Sequence, residues 1–192
     1  EKPDYEVSQN GLDSMLTELT TADNVKTVEV SEDTYVQDNS NTDTHGSETE
    51  LTVKRSSNSG FDRAIFLEFD ISKIEPAKVN TAELMLDCIS MEGKGIDTTL
   101  NIYSVDPDSW DEATLTYGKY QSIAKGSLVA QKVINNTGIC FIDVTNFVKN
   151  SSGKVAFLIE GVLSESRRVN FASSESDRNS PTLVLKGGEA NF

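Results

Sequence analysis

From residue 26 onward, apolar and polar side chains alternate in one short segment after another, and this period of two constrains the fold more than any other feature. The segment 51–54 reads Leu-Thr-Val-Lys, and the same alternation returns at 28–30, 65–69, 84–88, 100–103, 155–159, 169–171 and 183–185. Such strands bury one face and leave the other partly in water. Polar, turn-rich stretches separate them, and no strong helical period intervenes. The chain is therefore predicted to form an all-β, antiparallel β-sandwich of about ten strands, arranged as a jelly roll.

The two ends of the chain depart from this alternation. Within the first 25 residues, apolar residues recur at positions 12, 15, 16 and 19, which is the spacing of a short amphipathic helix. We therefore divide the chain into a linker or short helical segment at 1–25, a sandwich domain at 26–188 and a tail at 189–192. A disordered N-terminal segment is the alternative. One further helical turn is predicted at Val144–Lys149, with Asp143 or Thr145 as its N-cap.

Charge limits the partners of this chain. The formal net charge is −14, from 17 basic and 31 acidic residues. Nucleic-acid binding requires a basic surface, so we expect no nucleic-acid partner. Residues 1–50 account for −11 of this charge, which leaves −3 for residues 51–192. The sandwich itself is thus close to balance and has room for a local basic patch. No apolar run approaches the roughly 20 residues of a membrane span.

Residues that carry catalytic chemistry are sparse. His45 is the only histidine and lies in an acidic polar loop, where a solvated residue is the simpler interpretation than a catalyst. No hydrolase, zinc-protease or nucleotide-binding motif accompanies it. Carboxylates, which are enough for a glycosidase, are too abundant here to single out a pair. The sequence therefore predicts a protein that is not an enzyme.

Two interpretations are open for the cysteines. Cys88 and Cys140 both lie in apolar, strand-like runs and are too far apart for a metal or redox motif. A disulfide between them would close a loop of about 50 residues and stabilise the fold by roughly 3–4 kcal/mol. Two buried free thiols, acting as small hydrophobic side chains, are the alternative.

Oxygen ligands crowd one loop near the start of the sandwich. Calcium prefers carboxylate, amide and carbonyl oxygens. The loop holds Asp33, Asp38 and Asn39, although their spacing is not that of an EF-hand. Structural Ca²⁺ bound by these three residues is therefore a hypothesis, and a solvated acidic loop is the alternative.

Six motifs, in the same order along the chain, resemble DNRLRE-type domains. They are Asp33-Thr34-Tyr35-Val36 with the loop glycine Gly46 and Leu51-Thr52-Val53, the segment 63–72 (RAIFLEFDIS), the segment 81–86 (TAELML), Trp110-Asp111-Glu112, Ile142-Asp143-Val144-Thr145, and 171–175 (FASSE) with Pro181-Thr182-Leu183. The chain is thereby similar, over about residues 28–186, to a group that includes carbohydrate-binding module family 96. The resemblance implies a jelly-roll module that binds an acidic polysaccharide such as alginate.

Strand alternation gives a separate argument for where a sugar would bind. If the apolar residues of each strand face the core, then Lys54, Tyr103, Arg168 and Asn170 face outward, as do Phe66 and Glu68. Lysine and arginine pair with uronate carboxylates, and tyrosine offers a ring face and a hydroxyl. The predicted ligand-binding residues are Lys54, Arg55, Arg63, Tyr103, Lys119, Arg167, Arg168 and Asn170. An ordinary half-solvated sheet is the alternative, and Arg63 has the parity of a structural residue.

These patterns together predict a secreted or cell-surface, non-catalytic module that binds a polysaccharide, with a polyuronate favoured. Its other expected partners are catalytic or surface domains of the same parent chain. The alternative is a structural or adhesive surface module without a sugar ligand. Trp110, the only tryptophan, either stacks on a sugar or packs inside the fold.

Overall fold

A computed structural model describes residues 24–39 and 41–188, which build two antiparallel sheets. The strands of this part are β1 (Asn24–Glu29), β2 (Glu32–Gln37), β3 (Glu50–Val53), β4 (Arg63–Asp70), β5 (Val79–Met91), β6 (Thr98–Val105), β7 (Lys125–Ile134), β8 (Gly138–Asp143), β9 (Lys154–Gly161), β10 (Val169–Ala172) and β11 (Thr182–Gly187). The α-helices are α1 (Tyr117–Tyr120) and α2 (Thr145–Lys149), and 3₁₀ turns form at Pro76–Lys78 and Pro107–Ser109. The helix predicted near positions 12–19 and the tail at 189–192 lie outside the described residues.

The strands pair in two sheets that pack face to face. Sheet I has the order β1-β11-β5-β10-β3, with β8 also paired to β5, and sheet II has the order β2-β4-β9-β6-β7. Every pairing between these strands is antiparallel. The predicted all-β sandwich is thus confirmed, and the first strand begins at Asn24, two residues before the predicted boundary.

The core fills the space between the two sheets with the residues that the alternation assigns to the inner face. Leu84 and Leu86 of sheet I and Phe69 and Phe157 of sheet II are at most 1% exposed. The two phenylalanine rings meet edge to face, with centroids 6.1 Å apart. Burying each large apolar side chain contributes roughly 1.5–3 kcal/mol, so this shared layer holds the two sheets together.

A second apolar cluster lies on the outer face of sheet II. Phe66 points away from the core, as its parity predicts, yet it is fully buried, because residues 106–124 fold across this face. Trp110 covers it with its ring centroid 5.3 Å away, and Tyr120 covers it at 5.8 Å. Glu68, also predicted to face outward, is only 2% exposed. Trp110 itself is only 8% exposed, so it packs inside the fold and does not offer its ring to a sugar.

Smaller features settle other expectations. Helix α2 forms where a helical turn is predicted, but its N-cap is Val144 and neither Asp143 nor Thr145. The Asp143 carboxylate still accepts a 2.9 Å hydrogen bond from the Thr145 amide in the first turn. Cys88 and Cys140 are free thiols on the neighbouring strands β5 and β8. Burial raises the pKa of Cys88 to about 11, so this thiol stays protonated. None of the helices in residues 24–39 and 41–188 is long and apolar enough to cross a membrane.

Candidate functional site

The predicted outward face is divided between the two sheets. Lys54 directly follows β3, and Asn170 lies in β10, where it pairs with Thr52 of β3. Lys54 and Arg168 therefore stand on the same outer surface of sheet I as Asn170. Tyr103 lies in β6 of sheet II. The expectation that one sheet face carries all four residues is wrong, because strand parity fixes which way a side chain points but not which strands are neighbours.

Three cations gather where the end of β3 in sheet I meets the start of β4 in sheet II. We call this surface the cationic patch, and it is formed by Lys54, Arg63 and Arg168 with Phe61 and Glu92. The Lys54 Nζ is 3.0 Å from the Glu92 carboxylate, and the Arg168 Nε is 3.9 Å from its other oxygen. The Lys54 ammonium also lies 5.9 Å from the centre of the Phe61 ring. Phe61 is 51% exposed, which is unusual for a phenylalanine. An exposed ring beside three cations is a surface that matches a sugar bearing a carboxylate.

Arg63 links the patch to sheet II. Its backbone pairs with that of Lys54 in an isolated β-bridge, while its Nε donates to the Gln37 side chain at 2.9 Å. One of its terminal nitrogens donates to the Phe61 carbonyl at 3.2 Å. Burial and the nearby Arg168 charge lower the pKa of Arg63 from its usual value. Arg63 therefore both holds the Phe61 loop in place and adds a charge to the patch.

Glu92 fixes the positions of the other charged groups in the patch. It accepts a hydrogen bond from the Arg168 amide at 2.9 Å as well as from the Lys54 ammonium. Partial burial acts to raise the pKa of Glu92, but these bonds and the two cations outweigh it and hold the pKa below its usual value. Next to this group, Asn170 is 8% exposed and donates to the Glu50 carboxylate at 2.8 Å.

A second surface, which we call the tyrosine groove, lies on the outer face of sheet II. Its residues are Arg55, Tyr103, Tyr117, Tyr120, Lys125 and Glu160. The Glu160 carboxylate accepts from the Tyr120 hydroxyl at 2.6 Å and from the Lys125 ammonium at 2.8 Å. The Lys125 ammonium is centred 4.3 Å from the Tyr103 ring. Arg55 pairs with Asp62 at 2.5 Å, so each cation of the groove already has a carboxylate partner.

Two predicted residues belong to neither surface. Arg167 donates from Nε to the Thr98 hydroxyl at 2.9 Å and from Nη2 to the Asp97 carbonyl, so it ties two loops together. Lys119 is exposed at the end of α1 and borders a small cavity beside Trp110. Their charges therefore do not add to the cationic patch.

Three carboxylates converge at the edge of the sandwich, in what we call the carboxylate cluster: Asp33, Glu112 and Glu175. One oxygen from each lies within 4.8 Å of the others. Of the three predicted calcium ligands, only Asp33 is here. Asp38 instead accepts a 3.0 Å hydrogen bond from the Asp62 amide, and Asn39 lies beside Gly60. Glu112 and Glu175 belong to the Trp-Asp-Glu and Phe-Ala-Ser-Ser-Glu motifs. Their presence in these family-like motifs was the only sign in the sequence that pointed to them.

Burial makes this cluster costly when all three groups are ionised. Desolvation is the main cause that raises the pKa of Asp33 to about 6, against hydrogen bonds from Ser174 that lower it. Desolvation, with the charges of Glu175 and Asp33, raises the pKa of Glu112 to about 7. Gly46 lets its loop approach closely, since a Cβ there would lie 2.7 Å from the Glu112 carbonyl oxygen. Oxygen ligands of this kind suit a hard cation such as Ca²⁺.

Comparison with known proteins finds a family, a curated relative and solved structures to which this chain is similar. The sequence model of carbohydrate-binding module family 96 matches residues 24–187. A gellan lyase from a Bacillus species is 26% identical in an alignment of 137 residues, and this match covers 66% of this chain but only 5% of the lyase. Among solved structures, the CBM22-1–GH10 modules of Clostridium thermocellum xylanase 10B, complexed with xylohexaose, align at 10% identity with a TM-score of 0.34. That alignment covers 90% of this chain and 29% of the xylanase chain.

Proposed function

The chain belongs to carbohydrate-binding module family 96, and we propose that it binds an acidic polysaccharide such as alginate through the cationic patch. The observation that carries this proposal is the convergence of Lys54, Arg63 and Arg168 beside the exposed ring of Phe61. Arginine and lysine donate charge-assisted hydrogen bonds to carboxylates. The aromatic ring offers an apolar face to the C–H groups of a sugar.

The local charge favours a uronate over a neutral sugar at this surface. Three cations stand against the carboxylate of Glu92, which pairs with two of them, and that of Asp38, which acts on Arg63, although the whole chain carries −14. At about 0.1 M salt, charges farther apart than roughly 10 Å are largely screened from each other. The patch therefore acts on a bound carboxylate more strongly than the distant acidic residues do. Glu92 holds the cations apart and oriented until a uronate competes for them.

The biological setting that fits this activity is a non-catalytic module, secreted or on the cell surface, that holds an attached domain at its polysaccharide. The Bacillus relative is named for a lyase activity on gellan, and the matched region is 5% of its length. So small a share of the length is what we expect of a targeting module within a much larger enzyme. We infer the same role here, with catalytic or surface domains of the parent chain as partners.

We also propose that the carboxylate cluster binds a structural Ca²⁺. The support is its three oxygen ligands from three separate segments: Asp33 in β2, Glu112 after the Pro107–Ser109 turn and Glu175 after β10. A divalent ion there would offset the burial and the mutual repulsion that raise the pKa of Asp33 and Glu112, and would join sheet I to sheet II.

Affinity electrophoresis tests the proposed function. The protein is run through gels that contain alginate, pectin, ulvan, gellan or a neutral glucan, at low and at high NaCl. We expect alginate to retard the protein, and the retardation to weaken as salt rises, because exposed ion pairs are screened. Migration that no polysaccharide changes would instead support a structural or adhesive module. Retardation that is independent of salt would overturn the role of the cationic patch.

A further inference from the structure

The tyrosine groove has features that the proposed function does not use. We propose that it is a second glycan-binding site, for a neutral, hydroxyl-rich segment of polysaccharide rather than for a uronate. The groove is a cavity of about 380 Å³, bordered by Arg55, Tyr117, Tyr120, Lys125 and Glu160. The groove adjoins the cationic patch, since Arg55 directly follows Lys54, but the two surfaces share no residue and face different ligands. The inference is therefore tested first with variants that leave Lys54, Arg63 and Arg168 unchanged.

Charge balance selects the ligand class. Arg55 is paired with Asp62, and Lys125 is paired with Glu160, so two cations meet two carboxylates. A uronate would have to displace one of these carboxylates and would meet repulsion from the other. A neutral sugar meets no such penalty. Its hydroxyl groups both donate and accept, and so can bond to a carboxylate and an ammonium at once.

Glu160 is the main polar group of the site. It is 7% exposed and stands on the same outer face of β9 as the buried residues Ala156 and Leu158. A carboxylate among apolar neighbours is costly unless it is paired and hydrogen-bonded. Its two oxygens have about four acceptor positions. Within the described residues, the side-chain bonds to Tyr120 and Lys125 use one on each oxygen, which leaves acceptor capacity toward the cavity.

Aromatic rings complete the groove. Tyr117 and Tyr120 meet at a ring-centroid distance of 5.5 Å, and both are partly exposed. Burial, with the bond to Glu160, raises the pKa of Tyr120, so its hydroxyl stays protonated and donates. Tyrosine is suited to sugars because it joins an apolar ring to a polar tip.

Packing of residues 106–124 onto sheet II explains only part of this arrangement. Tyr120 belongs to that segment and contacts Phe66, so it serves the fold. Lys125 opens β7 and Tyr103 lies in β6, so neither belongs to the covering segment. The Lys125 side chain is 42% exposed, and its ammonium contacts both the Tyr103 ring and Glu160. These contacts offset the burial of Glu160, and the exposed ammonium has three donors, so it can also donate to a ligand in the groove.

Isothermal titration calorimetry with neutral hexasaccharides of xylose, glucose and mannose tests the inference. We expect at least one to bind, with an affinity that NaCl leaves nearly unchanged. Lys125→Ala and Glu160→Gln should each lower that affinity by about tenfold, because each removes one charged hydrogen-bonding partner. Glu68→Gln is the matched control, since Glu68 is an equally buried carboxylate of sheet II that pairs with Lys154 outside the groove.

Three results would overturn the inference. They are the absence of binding by all three hexasaccharides, equal loss in the Glu68→Gln control, and loss in a Lys54→Ala/Arg168→Ala variant. The last variant should retain the neutral ligand while losing alginate, so the two sites fail separately. Thermal unfolding of each variant identifies any loss of affinity that comes from misfolding. Tyr103→Ala gives a further test, in which the affinity should fall. Because this ring also packs against the second apolar cluster, the titration is run well below the melting temperature of the variant.

Discussion

The outer faces of the two sheets differ in what covers them. On sheet I, the Arg168 side chain is about half exposed and the Lys54 side chain is 15% exposed, and both contact Glu92. On sheet II, residues 106–124 lie across the strands and bury Phe66, and the cations of the remaining groove are paired with carboxylates. Both faces belong to one sandwich with one core. The segment that covers a face therefore decides, more than the fold does, whether that face has an excess charge to offer a ligand.

The largest expected effect comes from removing the cover of sheet II. Trp110→Ala should lower the free energy of unfolding by about 3–5 kcal/mol, because it leaves a cavity over Phe66. Chemical denaturation measures the loss. Below the midpoint of unfolding, alginate binding should persist while neutral-sugar binding disappears. Equal loss of both ligands by folded protein would contradict the separation of the two faces.

A divalent ion should stabilise the scaffold without altering either face. Asp33 and Glu112 have pKa values raised to about 6 and about 7, so their protonated forms favour the folded state at low pH. That contribution is lost as the pH rises through 6 to 7 in the absence of metal. Ca²⁺ at a hundred times its Kd should then restore about 2.7 kcal/mol at pH 8, and much less at pH 5, where protons compete for the ligands.

Thermal unfolding at both pH values, with Ca²⁺ or with EDTA, checks this prediction. Asp33→Asn is the companion variant, in which the response to Ca²⁺ should vanish. If Ca²⁺ leaves the melting temperature unchanged at pH 8, the carboxylate cluster does not bind Ca²⁺. The proposals for the cationic patch and the tyrosine groove would be unaffected.

Charge reversal should act on sheet I alone. Lys54→Glu with Arg168→Glu should weaken alginate binding by about thirtyfold, or roughly 2 kcal/mol, since two attractive charges become repulsive. The control Lys73→Glu with Lys149→Glu makes the same change in net charge at exposed positions of other segments. If the control weakens binding equally, overall charge rather than the patch governs affinity. Calorimetry with an alginate oligosaccharide measures both.

The smallest effect is expected at Glu92. Glu92→Gln should raise affinity for alginate by about two- to threefold, because the amide no longer competes with a uronate for Lys54 and Arg168. The amide oxygen still accepts from the Arg168 backbone, so the strand pairing is kept. A fall in affinity would contradict this prediction. It would mean that Lys54 and Arg168 need Glu92 to hold them in the orientation that binds a uronate.

Strand alternation predicted most of the fold, and it did so through local physics. Leu84 and Leu86 face the core because successive side chains of a strand point to opposite faces. The same rule correctly predicted that Phe66 points away from the core, but it could not predict that residues 106–124 cover this side chain. Their burial of Phe66 depends on a contact between positions 66 and 110, which no local period encodes.

The candidate sites were predicted less completely for the same reason. Lys54 and Arg168 lie close together because β3 pairs with β10. Tyr103 lies apart from them because its strand, β6, is in sheet II. Asp33 was predicted as a ligand from its crowded loop. Its neighbours in space, Glu112 and Glu175, are 79 and 142 positions away in the chain. Composition and local spacing cannot predict contacts between residues so far apart in the chain. The family-like motifs did include Glu112 and Glu175, but they did not show that these residues lie near Asp33.

An NMR titration of the ¹⁵N-labelled protein with an alginate hexasaccharide at low salt tests most directly whether the cationic patch binds a polyuronate. We predict that the largest shift changes occur at the amides of Lys54, Arg63, Arg168 and their neighbours, and that added NaCl reverses them. The tyrosine groove around Tyr103, Lys125 and Glu160 should stay unchanged. Shift changes centred on the groove, or none at either face, would contradict the proposal that the cationic patch is the polyuronate site.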